Sequence, residues 1–129
     1  MGVRQRFSSV QVFRWLDGSV YEGEFRDNRI EGHGVYMWSD GRKYSGGWKD
    51  NQMHGRGTFS WEDGRRYEGF YVNDKKEGEG TFYWPDGRIY MGFWKNGKQH
   101  GKGTYINSEK VRKVGEWREG NKIRWIKEN

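Results

Sequence analysis

Cysteine is absent from this chain of 129 residues, proline occurs once, at Pro85, and leucine once, at Leu16. Without cysteine there is no disulfide framework and no thiolate nucleophile, and a reducing intracellular setting is the expectation. No stretch approaches the run of about 20 apolar residues that a membrane-spanning helix needs. No hydrophobic segment reads as a secretory signal. Val, Ile, Leu and Phe together number only 21, a content that ordinarily points to disorder.

Aromatic residues overturn that inference. Eight Trp, eight Tyr and seven Phe recur in register, and each can bury roughly 150–250 Å². The recurrence has a fixed period of 23 residues, marked by Asp-Gly pairs at 17/18, 40/41, 63/64 and 86/87 without an insertion. Full units span 17–39, 40–62, 63–85 and 86–108, preceded by a half unit at 11–16 and followed by a degenerate cap at 109–129. Met1 to Val10 lies outside the periodicity and is expected to be flexible. The sequence therefore predicts a repeat array in which each unit stacks on its neighbours.

Within a unit the alternation has period two, which predicts strands. Tyr44, Gly46 and Trp48 share one face of a first strand, and Gly57, Phe59 and Trp61 share one face of a second. Pairing Lys49 with Arg56 sets Trp48 opposite Gly57, Gly46 opposite Phe59 and Tyr44 opposite Trp61, with Asp50 to Gly55 as the connecting loop. Each large ring then lies across a partner without a side chain, which accounts for glycine inside a strand. The other units pair likewise, as Phe25/Gly34, Tyr71/Gly80 and Trp94/Gly103. Between hairpins, parity calls for an odd-length corner, and Asp63-Gly64-Arg65 is the predicted three-residue loop, with a positive φ at or beside Gly64. The expected fold is all-β: an elongated single-layer antiparallel meander of nine or ten strands, twisted so that one face forms a concave, aromatic-lined groove. The cap is read either as a last strand folded onto the aromatic face or as a short helix.

Charge is spread unevenly. The net +6 divides into +3 for residues 1–16, then −3, +1, −1 and +3 for the four units, and +3 for the tail from Glu109. Basic residues follow the corners, at Arg42, Lys43, Arg65, Arg66 and Arg88. They are the candidate surface for an anionic lipid or an acidic partner, or they protect turns and edges from aggregation.

Residues for chemistry do not converge. His54 and His100 stand two units apart, about four strand spacings or 19 Å, too far to share a metal, and both read as loop residues before a turn glycine. The Gly-x-Gly pairs at 32/34, 55/57, 78/80 and 101/103 lack the helix and the Lys-Ser/Thr of a phosphate cradle. No catalytic residue, metal or cofactor is expected, and no nucleic-acid partner.

The unit YxGxWxxxxxxGxGxxxxxDG, clearest in Tyr44-Ser45-Gly46-Gly47-Trp48, His54-Gly55-Arg56-Gly57 and Asp63-Gly64, resembles the MORN (membrane occupation and recognition nexus) repeat over residues 11 to about 120. The resemblance implies a non-enzymatic scaffold module of cytoskeletal, ciliary or junctional assemblies, cytoplasmic or membrane-associated. It equally implies a phospholipid-binding module, or the accessory region of a phosphatidylinositol-phosphate kinase. The leading expectation is a partner helix or extended peptide held along the aromatic face. That face comprises Tyr21, Phe25, Tyr36 and Trp38 in the first unit, and Tyr44, Trp48, Phe59 and Trp61 in the second. It continues through Tyr67, Tyr71, Phe82 and Trp84 in the third, and Tyr90 and Trp94 in the fourth. Open sheet ends make a homodimer a further expected partner state.

Overall fold

The computed structural model describes residues 9–127. Eleven strands follow one another: β1 (Ser9–Arg14), β2 (Val20–Arg26), β3 (Arg29–Met37), β4 (Lys43–Lys49), β5 (Gln52–Ser60), β6 (Arg66–Val72), β7 (Lys75–Tyr83), β8 (Ile89–Lys95), β9 (Lys98–Ile106), β10 (Arg112–Arg118) and β11 (Asn121–Trp125). They form one open antiparallel sheet in which every strand pairs only with its neighbours in sequence. The meander is thus one or two strands longer than the nine or ten expected. The cap supplies β10 and β11 rather than a helix, and β1 begins at Ser9, two residues before the expected half unit. The remainder of the segment expected to be flexible, residues 1–8, lies outside the described residues.

The corners between hairpins have the predicted odd length, shifted by one residue. The Trp61 N–H donates to the Arg65 carbonyl at 2.9 Å and the Gly64 N–H to the Trp61 carbonyl at 3.1 Å, so Glu62-Asp63-Gly64 is the loop. Gly64 sits at φ +102°, where a side chain would be strained.

The register inside each hairpin differs from the expectation. Glycine faces glycine, as in Gly46↔Gly57, and Tyr44 faces Phe59. The connecting turn is not Asp50 to Gly55 but the pair Asp50-Asn51, both at positive φ (49° and 67°), as a two-residue type I′ turn requires. Three residues, His54-Gly55-Arg56, then lie opposite Gly47 alone, because the register steps from Gly46↔Gly57 to Trp48↔Met53. The same shift occurs at Gly23/Phe25, Gly69/Tyr71 and Gly92/Trp94. The rule of ring opposite glycine holds between hairpins instead: Trp48 faces Gly32, Tyr71 faces Gly55, and Trp94 faces Gly78.

Each bulge takes a carbonyl out of the ladder, and a tyrosine hydroxyl satisfies it. Tyr21 donates to the Glu24 carbonyl and Tyr44 to the Gly47 carbonyl, both at 2.9 Å; Tyr67 donates to Phe70 and Tyr90 to Phe93, both at 3.1 Å. To reach that carbonyl the ring lies flat over the glycine pair. This is why a Cβ built at Gly34, Gly57, Gly80 or Gly103 would run into the ring of Tyr21, Tyr44, Tyr67 or Tyr90. These four tyrosines are fully buried. Edge-on contacts then carry the packing from unit to unit, with Tyr44 meeting Tyr71 at 5.3 Å, Tyr67 meeting Trp94 at 5.5 Å and Tyr90 meeting Trp117 at 5.0 Å.

Neighbouring turns are also stitched along the opposite edge. The Asn51 N–H donates to the Ile30 carbonyl at 3.0 Å, and the Asn51 side-chain oxygen accepts from the Ile30 N–H at 2.8 Å. Asp74 repeats the arrangement with Met53.

Burial pushes the phenol groups of Tyr21 and Tyr90 up to about 12, and raises Tyr44, Tyr67 and Tyr71 further. The neutral form is favoured in the fold. Its contribution is therefore fully present below the ordinary phenol value near 10 and is lost as pH rises through the folded values. Phenolate absorbance of these rings should rise in one step together with loss of the β-sheet circular dichroism, above about pH 10. Gradual ionisation with the sheet intact would show that the rings are solvated.

Candidate binding surfaces

The two sheet faces differ in chemistry. One carries the rings, the glycine pairs and, at Lys76, Lys113 and Lys122, lysine side chains. Along it the residues at the two ends of each strand lean over the central tyrosines: Phe82 and Trp94 come within 6.3 Å, and Tyr36 and Trp48 within 6.0 Å. Tyr21, Tyr44, Trp48, Phe59, Tyr67, Tyr71, Phe82, Tyr90 and Trp94 are buried as a result, and their packing makes this face the core. Of the rings expected to meet a partner, Phe25, Tyr36, Trp38, Trp61 and Trp84 are half-buried and offer accessible surface. The rings are brought together in one continuous cluster, but chiefly to contact one another.

Lys76 stands in the row that holds Ile30 and Met53 in earlier units. Its ammonium lies 5.3 Å from the Trp94 ring centroid and 5.4 Å from that of Tyr67. Desolvation, with a smaller contribution from Arg65, lowers its pKa. On the sequence pattern alone this row falls in the hairpin loops, because Asp50 to Gly55 is the expected connection.

The corner basic residues are bound to their own corners. In each Asp-Gly-Arg, the Arg Nε donates to the aspartate at 2.8–2.9 Å: Arg42 to Asp40, Arg65 to Asp63 and Arg88 to Asp86. The aspartate also accepts the Arg backbone N–H at 3.0–3.1 Å, which is the largest reason its pKa is lowered. The guanidinium groups stack about 5 Å from the rings of Trp38, Trp61 and Trp84. Arg66 bonds Glu68 at 3.1 Å and lies 4.1 Å from the Tyr83 ring, while Lys43 is exposed. A denser cationic surface, unforeseen from the corners, lies at the turn edge. There Lys75, Lys95, Lys98, His100 and Arg118 line a cleft of about 590 Å³ together with Asn96 and Glu119.

His54 and His100 sit in strands, not loops, because the bulge absorbs them. His100 Nδ1 accepts the Glu119 N–H at 3.2 Å, His54 lies in β5 opposite Gly47, and His33 is exposed in β3.

The face opposite the rings carries two grooves. One of about 550 Å³ crosses β5 to β10 over the backbone of Gly69, Gly80, Gly92 and Gly103. Phe70, Met91 and Phe93 line it at 39, 37 and 46 % exposure, flanked by Arg56, Glu68, Glu79 and Lys102. A second, of about 520 Å³, lies on the same face among Glu22, Glu24, His33, Val35 and Met37. The rings pack over one face, and these two grooves lie on the other, where the glycines present bare backbone. Phe70 and Phe93 lie on that face as the two bulge residues that are large and apolar.

A family model described as MORN repeat matches residues 21–41, 44–65, 67–87 and 90–108. A search of curated proteins finds no match.

Proposed function

The chain belongs to the MORN-repeat family, and from that premise we propose that it is a non-catalytic scaffold module that holds a segment of a protein partner in a cytoskeletal, ciliary or membrane-associated assembly. MORN repeats are known in scaffold or membrane-associated proteins, and the family is typically non-catalytic. The observation that carries the reading is the groove across β5 to β10, where Phe70, Met91 and Phe93 remain exposed in the middle of the array, away from the exposed rings Phe13, Trp15 and Trp125 at its two ends. Exposed apolar side chains gathered on one face, here from β6 and β8, mark an interaction surface. The rings of the aromatic face serve chiefly as the floor that keeps this face in shape.

The test is affinity capture with the tagged full chain in extract of the source cell. Phe93→Glu should reduce recovery of a specific partner by at least about tenfold, since one charge buried in an apolar contact costs on the order of the affinity of a hot-spot residue. Trp61→Ala, on the half-buried ring edge, should leave recovery near wild type. The reverse order would return the site to the aromatic face.

A second reading, a surface for anionic phospholipid, is favoured by the turn-edge cleft with its four Lys and Arg side chains. Lys95→Glu/Lys98→Glu should then abolish binding to vesicles containing phosphatidylserine at low salt. Retention of binding would remove the cleft from consideration.

A further inference from the structure

The groove has a charge order of its own, and it deepens the interaction reading by describing the partner. Register aligns Arg56 with Phe70, Glu79 with Phe93, and Lys102 with Glu116 along one row. From β5 to β10 that row therefore runs cation, ring, anion, ring, cation, anion. Arg56, Phe70, Glu79, Phe93 and Lys102 are all exposed. Among the described residues, no ion pair engages Arg56, Glu79 or Lys102. The Arg56 guanidinium stacks 5.2 Å from the Phe70 ring, which leaves its charge at the groove without a carboxylate.

Equivalent groups recur every second strand, about 9.6 Å apart along the array. An α-helix presents the same side every seven residues, about 10.5 Å. A helix laid along the groove and tilted by about 24° projects one heptad onto one repeat. An extended segment fails the same comparison. Three residues of strand cover about 10 Å, but alternation then points successive contacts to opposite sides.

We propose that the occupant is an amphipathic α-helix of a protein partner, somewhat over two heptads long. Its apolar stripe would lie on Phe70, Met91 and Phe93. An acidic–basic–acidic triplet at seven-residue spacing would face Arg56, Glu79 and Lys102. The triplet reads the same in both directions, so it specifies register without specifying the polarity of the helix. This inference rests on the chain being a partner-binding module, and it is tested so that the two can fail separately.

Three fluorescently labelled helical peptides of about 18 residues share one leucine stripe and carry Glu-Lys-Glu, Lys-Glu-Lys or Gln-Gln-Gln at the triplet. Fluorescence anisotropy is measured against the full chain and against Arg56→Glu/Glu79→Lys/Lys102→Glu. The wild-type array should bind the Glu-Lys-Glu helix at least about tenfold more tightly than the Lys-Glu-Lys helix, with the glutamine helix between them. The order should invert on the charge-reversed array. That variant keeps a net positive charge, so non-specific attraction cannot produce the inversion. Equal affinity for the three helices overturns the charge register. Binding that survives Phe93→Glu overturns the location. If no helix binds while partner capture still depends on Phe93, the helical occupant is wrong and the interaction module stands. If capture is independent of Phe93 as well, both readings fall.

Discussion

Replacing Gly80 by alanine is expected to lower the unfolding free energy by about 3 kcal/mol, the upper range for an overpacked core position. Gly80 lies in β7, paired with Gly69 on one side and Gly92 on the other. A Cβ there would meet the Tyr67 ring and hydroxyl. That ring has nowhere to go. It is fully buried, it stands edge-on to Tyr71 at 5.4 Å and to Trp94 at 5.5 Å, and its hydroxyl donates to the Phe70 carbonyl at 3.1 Å. Relief requires tilting the ring and losing that bond, or spreading β6 from β7. Gly78 provides the control two residues away. It sits at φ +76° with open space around a built Cβ, so alanine there meets only the backbone strain of about 1 kcal/mol. Urea titration of the two variants, with unchanged m-values, measures the difference. Equal midpoints would mean that the glycine pairs are not there to admit the tyrosine ring.

This contrast shows what the sequence makes legible. The 23-residue period and the two-fold alternation locate the units, the odd corners and the face to which every ring belongs, because these depend on sequence spacing alone. Register inside the hairpin does not. Placing each ring opposite a glycine is sterically sound, but the positive φ values of Asp50 and Asn51 hold a tighter turn that shifts the pairing and sets glycine against glycine. The Asp-Asn, Asn-Asp and Asn-Gly pairs at 50/51, 73/74 and 96/97 carry that signal, since these residues tolerate the left-handed region. A fifth corner was hidden for a related reason. Lys110 takes the glycine's place at φ 69°, its N–H donating to the Asn107 carbonyl at 2.8 Å. The period alone puts a corner there although Asp-Gly is missing.

The proposed binding surface was harder to read because burial is collective. Nothing local in the letters around Tyr44 or Tyr67 says that rings from both strand ends will close over them, yet that closure decides which face is core and which is free. The charge row is more distributed still. Arg56, Glu79 and Lys102 occupy equivalent positions in successive units, but Phe70 and Phe93 join the same row only through the pairing across the corners, Arg56↔Phe70 and Glu79↔Phe93. Pairing, not sequence proximity, assembles the site.

Position in the array should matter as much as burial. Tyr67→Ala is expected to destabilise the whole sheet by about 4 kcal/mol, the cavity and transfer loss for a buried aromatic, whereas Tyr21→Ala should register mainly as local fraying. The two rings have matching environments. Both are fully buried, both donate to a bulge carbonyl, and both meet the next unit edge-on, Tyr21 at Trp48 and Tyr67 at Trp94. Every strand pairs only with its neighbours in sequence, so an end unit can open while the rest keeps its interfaces. The loss at Tyr21 is therefore limited to the stability of β1 to β3. At Tyr67 the same cavity sits between two halves that hold each other, and opening it uncouples both. Native-state hydrogen exchange separates the cases: Tyr21→Ala should accelerate amides of β1 to β3 and spare β6 to β9, while Tyr67→Ala should accelerate amides on both sides of β6. Equal global destabilisation by the two variants would mean that the sheet unfolds as one indivisible unit, and that its repeats do not act as separate stacked elements.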